Sequence, residues 1–208
     1  MIFVCSRVLR VPYSLNNPYK IILNTETESP LNIASKVSYR HLRGMYYLWK
    51  NPGLFDNPDT VTIFQERRKL FHDYIPEGFT VTQPTHINLQ SILLQWRVCS
   101  GHPAHRMEYL EAALSLIPRM KDYVNIVPAP CAYFHNMGTY PWEIYDQLCD
   151  FLFTTLNLLE VKLNINPDEE LPVYAMLAER IQNYWLWEHP EIKVFESPLD
   201  KYDSVSYL

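Results

Sequence analysis

Glycine is scarce, at 5 of 208 residues, and the four cysteines, Cys5, Cys99, Cys131 and Cys149, lie far apart. Neither the Gly-x-Gly-x-x-Gly dinucleotide fingerprint nor a Walker loop is present, and there is no Ser-His-Asp constellation. No Cys-x-x-Cys pair exists, so zinc-ribbon and dithiol redox readings fall away and the cysteines read as reduced thiols. His102-Pro103-Ala104-His105 has a superficial two-ligand spacing but lacks a third ligand nearby, and His72-Asp73 reads as an exposed pair. Positive charge is also short: 18 Lys and Arg face 23 Asp and Glu, a formal charge of -5. A general nucleic-acid binder carries a basic stripe that releases counterions from phosphate, so none is expected here and any anion site must be local. No apolar run approaches the roughly 18 residues of a membrane span, and the first residues show no signal-peptide pattern. No transmembrane segment and a cytoplasmic location are expected.

What the chain does have is apolar mass, 48% of residues, punctuated by 16 prolines. A chain of this length can bury roughly 70% of the surface that its unfolded form exposes, enough for one domain core. Residues 2–5, 20–23, 61–64, 79–82, 124–127 and 192–195 are short β-branched or aromatic runs with strand character. Between them, Leu42, Met45, Tyr46 and Trp49 recur at helical spacing, as do Met107, Leu110, Leu114 and Ile117 until Pro118 stops them. Longer helices are predicted over 141–163 and 172–187. Helices interspersed among short strands predict an α/β layered domain with a mixed central sheet flanked by helices. Residues 1–198 form that domain in this reading, and 199–208 a polar C-terminal tail.

Three segments carry a resemblance. Asn32-Ile33 followed by the run from Gly44 to Asn51 (Gly-Met-Tyr-Tyr-Leu-Trp-Lys-Asn), Asn136-Met137 followed by Ile144, Tyr145, Cys149 and Leu152-Phe153, and Leu177-Ala178-Glu179-Arg180-Ile181 with Asn183 and Trp185 keep the order and spacing of one pattern. It resembles that of a family of bacterial capsular and exopolysaccharide glycosyltransferases known as a domain of unknown function. Where that family carries a strand followed by His-Tyr-Arg-Arg, this chain has Gln65-Glu66-Arg67-Arg68, and His41 stands about where the family has a Glu. The resemblance spans nearly the whole chain. It implies a single GT-A-like (Rossmann-like) domain that uses a nucleotide sugar and delivers the sugar to a glycan or lipid-linked acceptor.

A diphosphate leaving group gathers negative charge as the glycosidic bond breaks, so a divalent metal or fixed cations must receive it. The Asp-x-Asp that holds Mn or Mg in many enzymes of this kind is missing. Arg67 and Arg68, directly after the third strand, offer planar bidentate donors instead, which predicts metal-independent phosphate binding; the plainer reading is a solvated charged loop. An inverting transfer also needs a carboxylate as base, and Glu66, Asp73 and Glu179 are the candidates. Glu66 lies beside the arginine pair, where it reads either as base or as their salt-bridge partner.

Ser6 and Arg7, at the end of the first strand, and Gln65 are expected to approach the nucleotide. Lys36, Tyr39 and Arg43 are placed on the first helix with Tyr46, where a tyrosine face suits a uracil or sugar ring. Asn136, in a strand-to-helix loop, reads as a donor to a sugar hydroxyl or as a turn cap. Glu179 and Arg180 line the sugar or acceptor side, or form a structural ion pair. The alternative function is a non-catalytic carbohydrate- or protein-binding module on a degenerate glycosyltransferase fold.

Overall fold

Five consecutive buried residues, Ile2–Ser6, form strand β1, and a strand buried along its whole length needs neighbours on both edges and layers on both faces. A computed structural model, which describes residues 1–7, 15, 17–70, 79–82, 91–99, 102–129, 133–169 and 171–201, supplies both. On one edge β1 pairs in parallel with β2 (Tyr19–Leu23), and on the other with β3 (Thr60–Gln65). Beyond β3 come β6 (Gly138–Pro141), antiparallel to it, then β5 (Phe79–Thr82) and β7 (Val194–Ser197), giving the order β2-β1-β3-β6-β5-β7. β4 (Arg68–Leu70) turns back on β3, and β8 (Leu199–Lys201) pairs with β4. The chain therefore stays in the sheet three residues past 198, where a tail was expected to begin.

Alternation along β1 sorts the core. Phe3 and Cys5 face the main helical core with Val61 and Ile63 of β3, while Ile2 and Val4 join Phe64 in a smaller cluster on the opposite face. Helix α1 (Leu42–Lys50) crosses the end of β1 at Gly44, where an added Cβ would stand 2.7 Å from Cys5 Sγ. Gly44→Ala must push α1 off the strand, and about 1–3 kcal/mol of destabilisation is expected from such overpacking, read as a lower urea midpoint at unchanged slope.

The remaining helices are α2 (Ile92–Val98), α3 (Met107–Leu116), α4 (Met120–Asn125), α5 (Trp142–Leu163) and α6 (Val173–Glu188). α6 is buried nearly all round, from Tyr174 and Leu177 to Gln182, Asn183 and Trp185, so its polar residues do internal work. Asn183 is the clearest case: its Oδ1 accepts from the Tyr133 N–H at 2.7 Å and its Nδ2 donates to the Tyr133 carbonyl at 2.6 Å. That side-chain amide pairs with the backbone as a neighbouring strand would, and fixes the segment leading into β6. α5 is tied to α1 by Tyr145 Oη donating to the Met45 carbonyl at 2.8 Å and by Trp49 Nε1 donating to Asp146 at 2.7 Å.

Two sequence expectations change. Residues 124–127 are not a strand: α4 runs through Asn125, with Met120, Tyr123 and Val124 forming a buried i, i+3, i+4 stripe that outweighs the β-branched character. Lys36 and Tyr39 precede the first helix, which starts at Leu42, and Tyr39 ends a short 3-10 turn, Val37–Tyr39. Among the described residues no helix is long and apolar enough to cross a membrane.

Candidate functional site

In the strand order, β1 has β2 on one side and β3 on the other, so the connections leaving β1 and β3 diverge at their C-terminal ends. Such a divergence opens a crevice, and in open α/β sheets ligands gather there. A cleft of about 400 Å³ lies at this point. Arg7 reaches it from the end of β1, and Glu66, Arg67 and Arg68 from the β3–β4 hairpin; Arg40 and Arg43 close it from the start of α1. Five guanidinium groups thus surround one carboxylate, in a chain of net charge -5.

Each arginine is positioned differently. The tight hairpin pairs Gln65 with Arg68, so that Arg68 donates to Gln65 Oε1 at 2.9 Å. Glu66 Oε2 accepts from the Arg7 backbone N–H at 3.3 Å and from Arg7 Nε at 3.1 Å, and its other oxygen stands 3.8 Å from Arg67 Nε. The Glu66 side chain is only 12% exposed, whereas that of Arg67 is 45% exposed and faces solvent at the rim. Arg43 is buried and spends donors on the Ala34 carbonyl at 2.7 Å and the Arg40 carbonyl at 3.1 Å. Burial, with Arg40 adding to it, lowers the Arg43 pKa from its ordinary value. Cys5 also lines this cleft, and burial pushes its thiol up to about 12, which keeps it in the poorly nucleophilic protonated form.

A second cleft, about 520 Å³, shares Arg40, His41, Gln65 and Arg68 with the first and continues toward α2 and α6. Gln65 is the hinge of that shared wall: its Nε2 reaches the His135 carbonyl and lies 3.2 Å from His41 Nε2. His135 and Asn136 have φ of 83° and 46°, a left-handed bend that non-glycine residues adopt at a cost. The bend is held from both ends, because Glu179 Oε1 accepts from the His135 N–H at 2.9 Å while Gln65 takes its carbonyl. The other Glu179 oxygen accepts from Arg180 Nη1 at 2.6 Å, and Arg180 Nη2 donates to Gln95 Oε1 at 2.7 Å. The Arg180 guanidinium is stacked 4.7 Å from the Phe134 ring centroid and 5.1 Å from Trp96.

Two of the three cleft histidines, His41 and His105, are held neutral. Burial first, then His135 and Arg68, pushes His41 down to about 3; burial, then Arg180 and His102, pushes His105 down to about 4. In the unfolded chain these groups titrate near pH 6.5. As pH falls below that value the unfolded state takes up protons that the folded state refuses, so stability is expected to fall between pH 6.5 and 4, by up to about 1.4 kcal/mol per pH unit for each histidine. Urea midpoints measured against pH check this, and His41→Gln should flatten the slope.

The structure brings Arg7, Arg43, Gln65, Glu66, Arg67 and Arg68 together at the first cleft, and Glu179 and Arg180 at the second, with Gln65 and Arg68 belonging to both. Ser6 is buried at the end of β1, where its carbonyl accepts from the Asn24 N–H at 2.7 Å, and it lines neither of these two clefts. Lys36 and Tyr39 turn to α5 instead: Lys36 Nζ is 2.6 Å from Glu160 Oε1, the Tyr39 hydroxyl donates to the same oxygen, and the Tyr39 ring stacks on Tyr174. Tyr46 packs edge-on against Phe153 and lines neither cleft. Asn136 is fully buried, with Nδ2 3.5 Å from the Ala175 carbonyl, and lines neither cleft. His102 and His105 are parts of a turn, His102 Nδ1 accepting from the Ala104 N–H at 3.1 Å. His72 and Asp73 lie outside the described residues.

Among the described residues no three His, Cys, Asp or Glu side chains converge as a metal site would require. Sequence reasoning missed Arg40, Asn24, Gln95 and Phe134 as cleft residues. Only the fold reveals them: Gln95 lies on α2, and Asn24, Arg40 and Phe134 lie in turns or loops that carry no motif.

No protein-family model matches the chain, and no curated protein matches its sequence. Among solved structures it is similar to the apo form of the bifunctional glycosyltransferase WbbM, with a TM-score of 0.67 and 18% identity over 98% of this chain. The chain has a glycosyltransferase-like, GT-A-like layered α/β fold. It spans about half the length of WbbM, 45% of that chain.

Proposed function

We propose that the protein is a nucleotide-sugar-dependent glycosyltransferase of polysaccharide biosynthesis, capsular or exopolysaccharide, working on the cytoplasmic side with a glycan or lipid-linked acceptor. The observation that carries this reading is the first cleft: five guanidinium groups gathered where β1 and β3 diverge, in an otherwise acidic chain. A diphosphate is the ligand whose charge fits it. Arg67 and Arg68, helped by Arg7, hold the diphosphate and stabilise it as the bond to the sugar breaks and the electron pair stays on the phosphate oxygen. Competition by phosphate for Arg7 and Arg67 releases Glu66, which then takes the proton of the acceptor hydroxyl as that oxygen bonds to the anomeric carbon the phosphate leaves. The arginines supply this charge without a metal.

The Arg7–Glu66–Arg67 cluster also favours a second reading. With its carboxylate engaged on both oxygens, Glu66 satisfies the arginines internally, as a non-catalytic carbohydrate- or protein-binding module would. Thermal shift with a panel of UDP-, GDP- and dTDP-sugars, followed by turnover assays in EDTA, separates the two. Stabilisation by at least one nucleotide with transfer surviving EDTA is the expected result. Silence across the panel favours the binding module, and a Mn²⁺ requirement for turnover or donor binding overturns the arginine account.

A further inference from the structure

We propose that the second cleft seats the acceptor, and that what it takes is an uncharged sugar residue; this rests on the reading of the first cleft as the nucleotide end. The two clefts share Arg40, His41, Gln65 and Arg68, so a group bound in one abuts a group bound in the other across a single wall. At about 520 Å³ the second falls within the roughly 300–1,000 Å³ of small-molecule sites.

Its chemistry differs from that of its neighbour. The charges it does not share, Arg180 and Glu179, are paired with each other at 2.6 Å. Away from the shared wall, which carries Arg40 and Arg68, the described lining holds no further guanidinium or carboxylate: Phe134, Met176 and Ala175 are apolar, and Gln95, His105 and His135 bring an amide and two imidazole rings. A pyranose presents C–H groups on its faces and hydroxyls round its rim, which suits an apolar wall edged by neutral donors and acceptors. A phosphate finds more counter-charge in the first cleft, where Arg7, Arg43 and Arg67 join the shared Arg40 and Arg68.

Two buried polar atoms at this cleft point the same way. Arg180 Nε and His105 Nδ1 have no hydrogen-bond partner among the described residues, although Arg180 is 2% exposed and His105 8%. A buried polar atom left without a partner is costly, and a small shift of either side chain toward the cleft would let a sugar hydroxyl satisfy it. The depressed pKa of His105 keeps its ring neutral, with one nitrogen able to accept.

Saturation-transfer NMR on the full chain tests the assignment, using methyl β-D-galactopyranoside, methyl β-D-glucopyranoside and N-acetylglucosamine, with glucuronate as the charged comparison. At least one neutral sugar is expected to show transfer, both alone and with a stabilising nucleotide sugar present. Met176→Trp, which fills the cleft, and Gln95→Ala, which strips its rim, should each weaken that binding at least about tenfold while leaving the nucleotide-induced thermal shift in place; melting curves show that both variants fold. The proposal is overturned by no transfer from any neutral sugar, by transfer indifferent to Met176→Trp, by binding of glucuronate alone, or by displacement when the nucleotide sugar is added. That last result would make the cleft the seat of the donor's own sugar. Sugar binding lost in Met176→Trp, with no nucleotide effect on the wild type, would leave the sugar site standing and remove the transferase reading.

Discussion

Arg180→Ala is expected to cost about 3–5 kcal/mol, a large share of the roughly 5–15 kcal/mol that stabilises a domain of this kind. The side chain is 2% exposed, and burial lowers its pKa from the ordinary value while Glu179, more than any other group, opposes the shift. Its guanidinium binds Glu179 at 2.6 Å, the Met176 carbonyl at 3.1 Å and Gln95 at 2.7 Å, between the rings of Phe134 and Trp96. Truncation strands the Glu179 carboxylate, whose other oxygen is committed to the His135 N–H. Because the penalty comes from the charge left behind, Glu179→Gln in the same chain should recover part of it, and a double-mutant cycle by urea denaturation measures the coupling. Arg180→Lys should rescue poorly, since one ammonium cannot reproduce the planar fork that reaches Glu179 and Gln95 together. A loss under about 1 kcal/mol would mean that the pair is not structural.

The same pair shows how far the sequence could be read. Glu179-Arg180 suggested either a structural ion pair or a cleft lining, and in the fold the two are joined as an ion pair while both line the second cleft. β1, β3 and the long helices were legible because their burial is continuous or helically periodic, and β2 because Ile21 and Ile22 are β-branched. β6 was not: Gly138 and Pro141 bound a four-residue strand whose identity comes from pairing with β3 and β5, not from local preference. α2 was hidden for a related reason, its start marked only by Ser91, which accepts from the Leu94 N–H at 3.2 Å. Lys36 and Tyr39 were drawn to the ligand by their nearness in sequence to Arg43, whereas Glu160, more than a hundred residues away, claims both. Arg67 and Arg68 were found because a hairpin is local and brings them to the strand end whatever the remote packing does.

Arg68→Ala is expected to weaken nucleotide diphosphate binding by about 10–150-fold, the equivalent of one charge-assisted contact worth about 1.5–3 kcal/mol. Turnover should fall by about 10²–10³-fold, since charge builds on the phosphate only as the bond breaks. The fold should survive, because Gln65 keeps its hold on His135 and His41 through Nε2 when Oε1 loses Arg68. Arg67→Ala is the cleaner companion: Arg67 is half exposed, and its contact with Glu66, at 3.8 Å, is long. Glu66→Gln separates the arginine and base roles, since it removes the acceptor of the proton while leaving every guanidinium in the cleft; nucleotide binding should hold or tighten as transfer is lost. Calorimetric titration with the stabilising nucleotide and single-turnover transfer assays read the two effects separately. If Arg67→Ala and Arg68→Ala both bound nucleotide like the wild type, the guanidinium cluster would be a structural feature of the sheet edge and the donor would have to sit elsewhere.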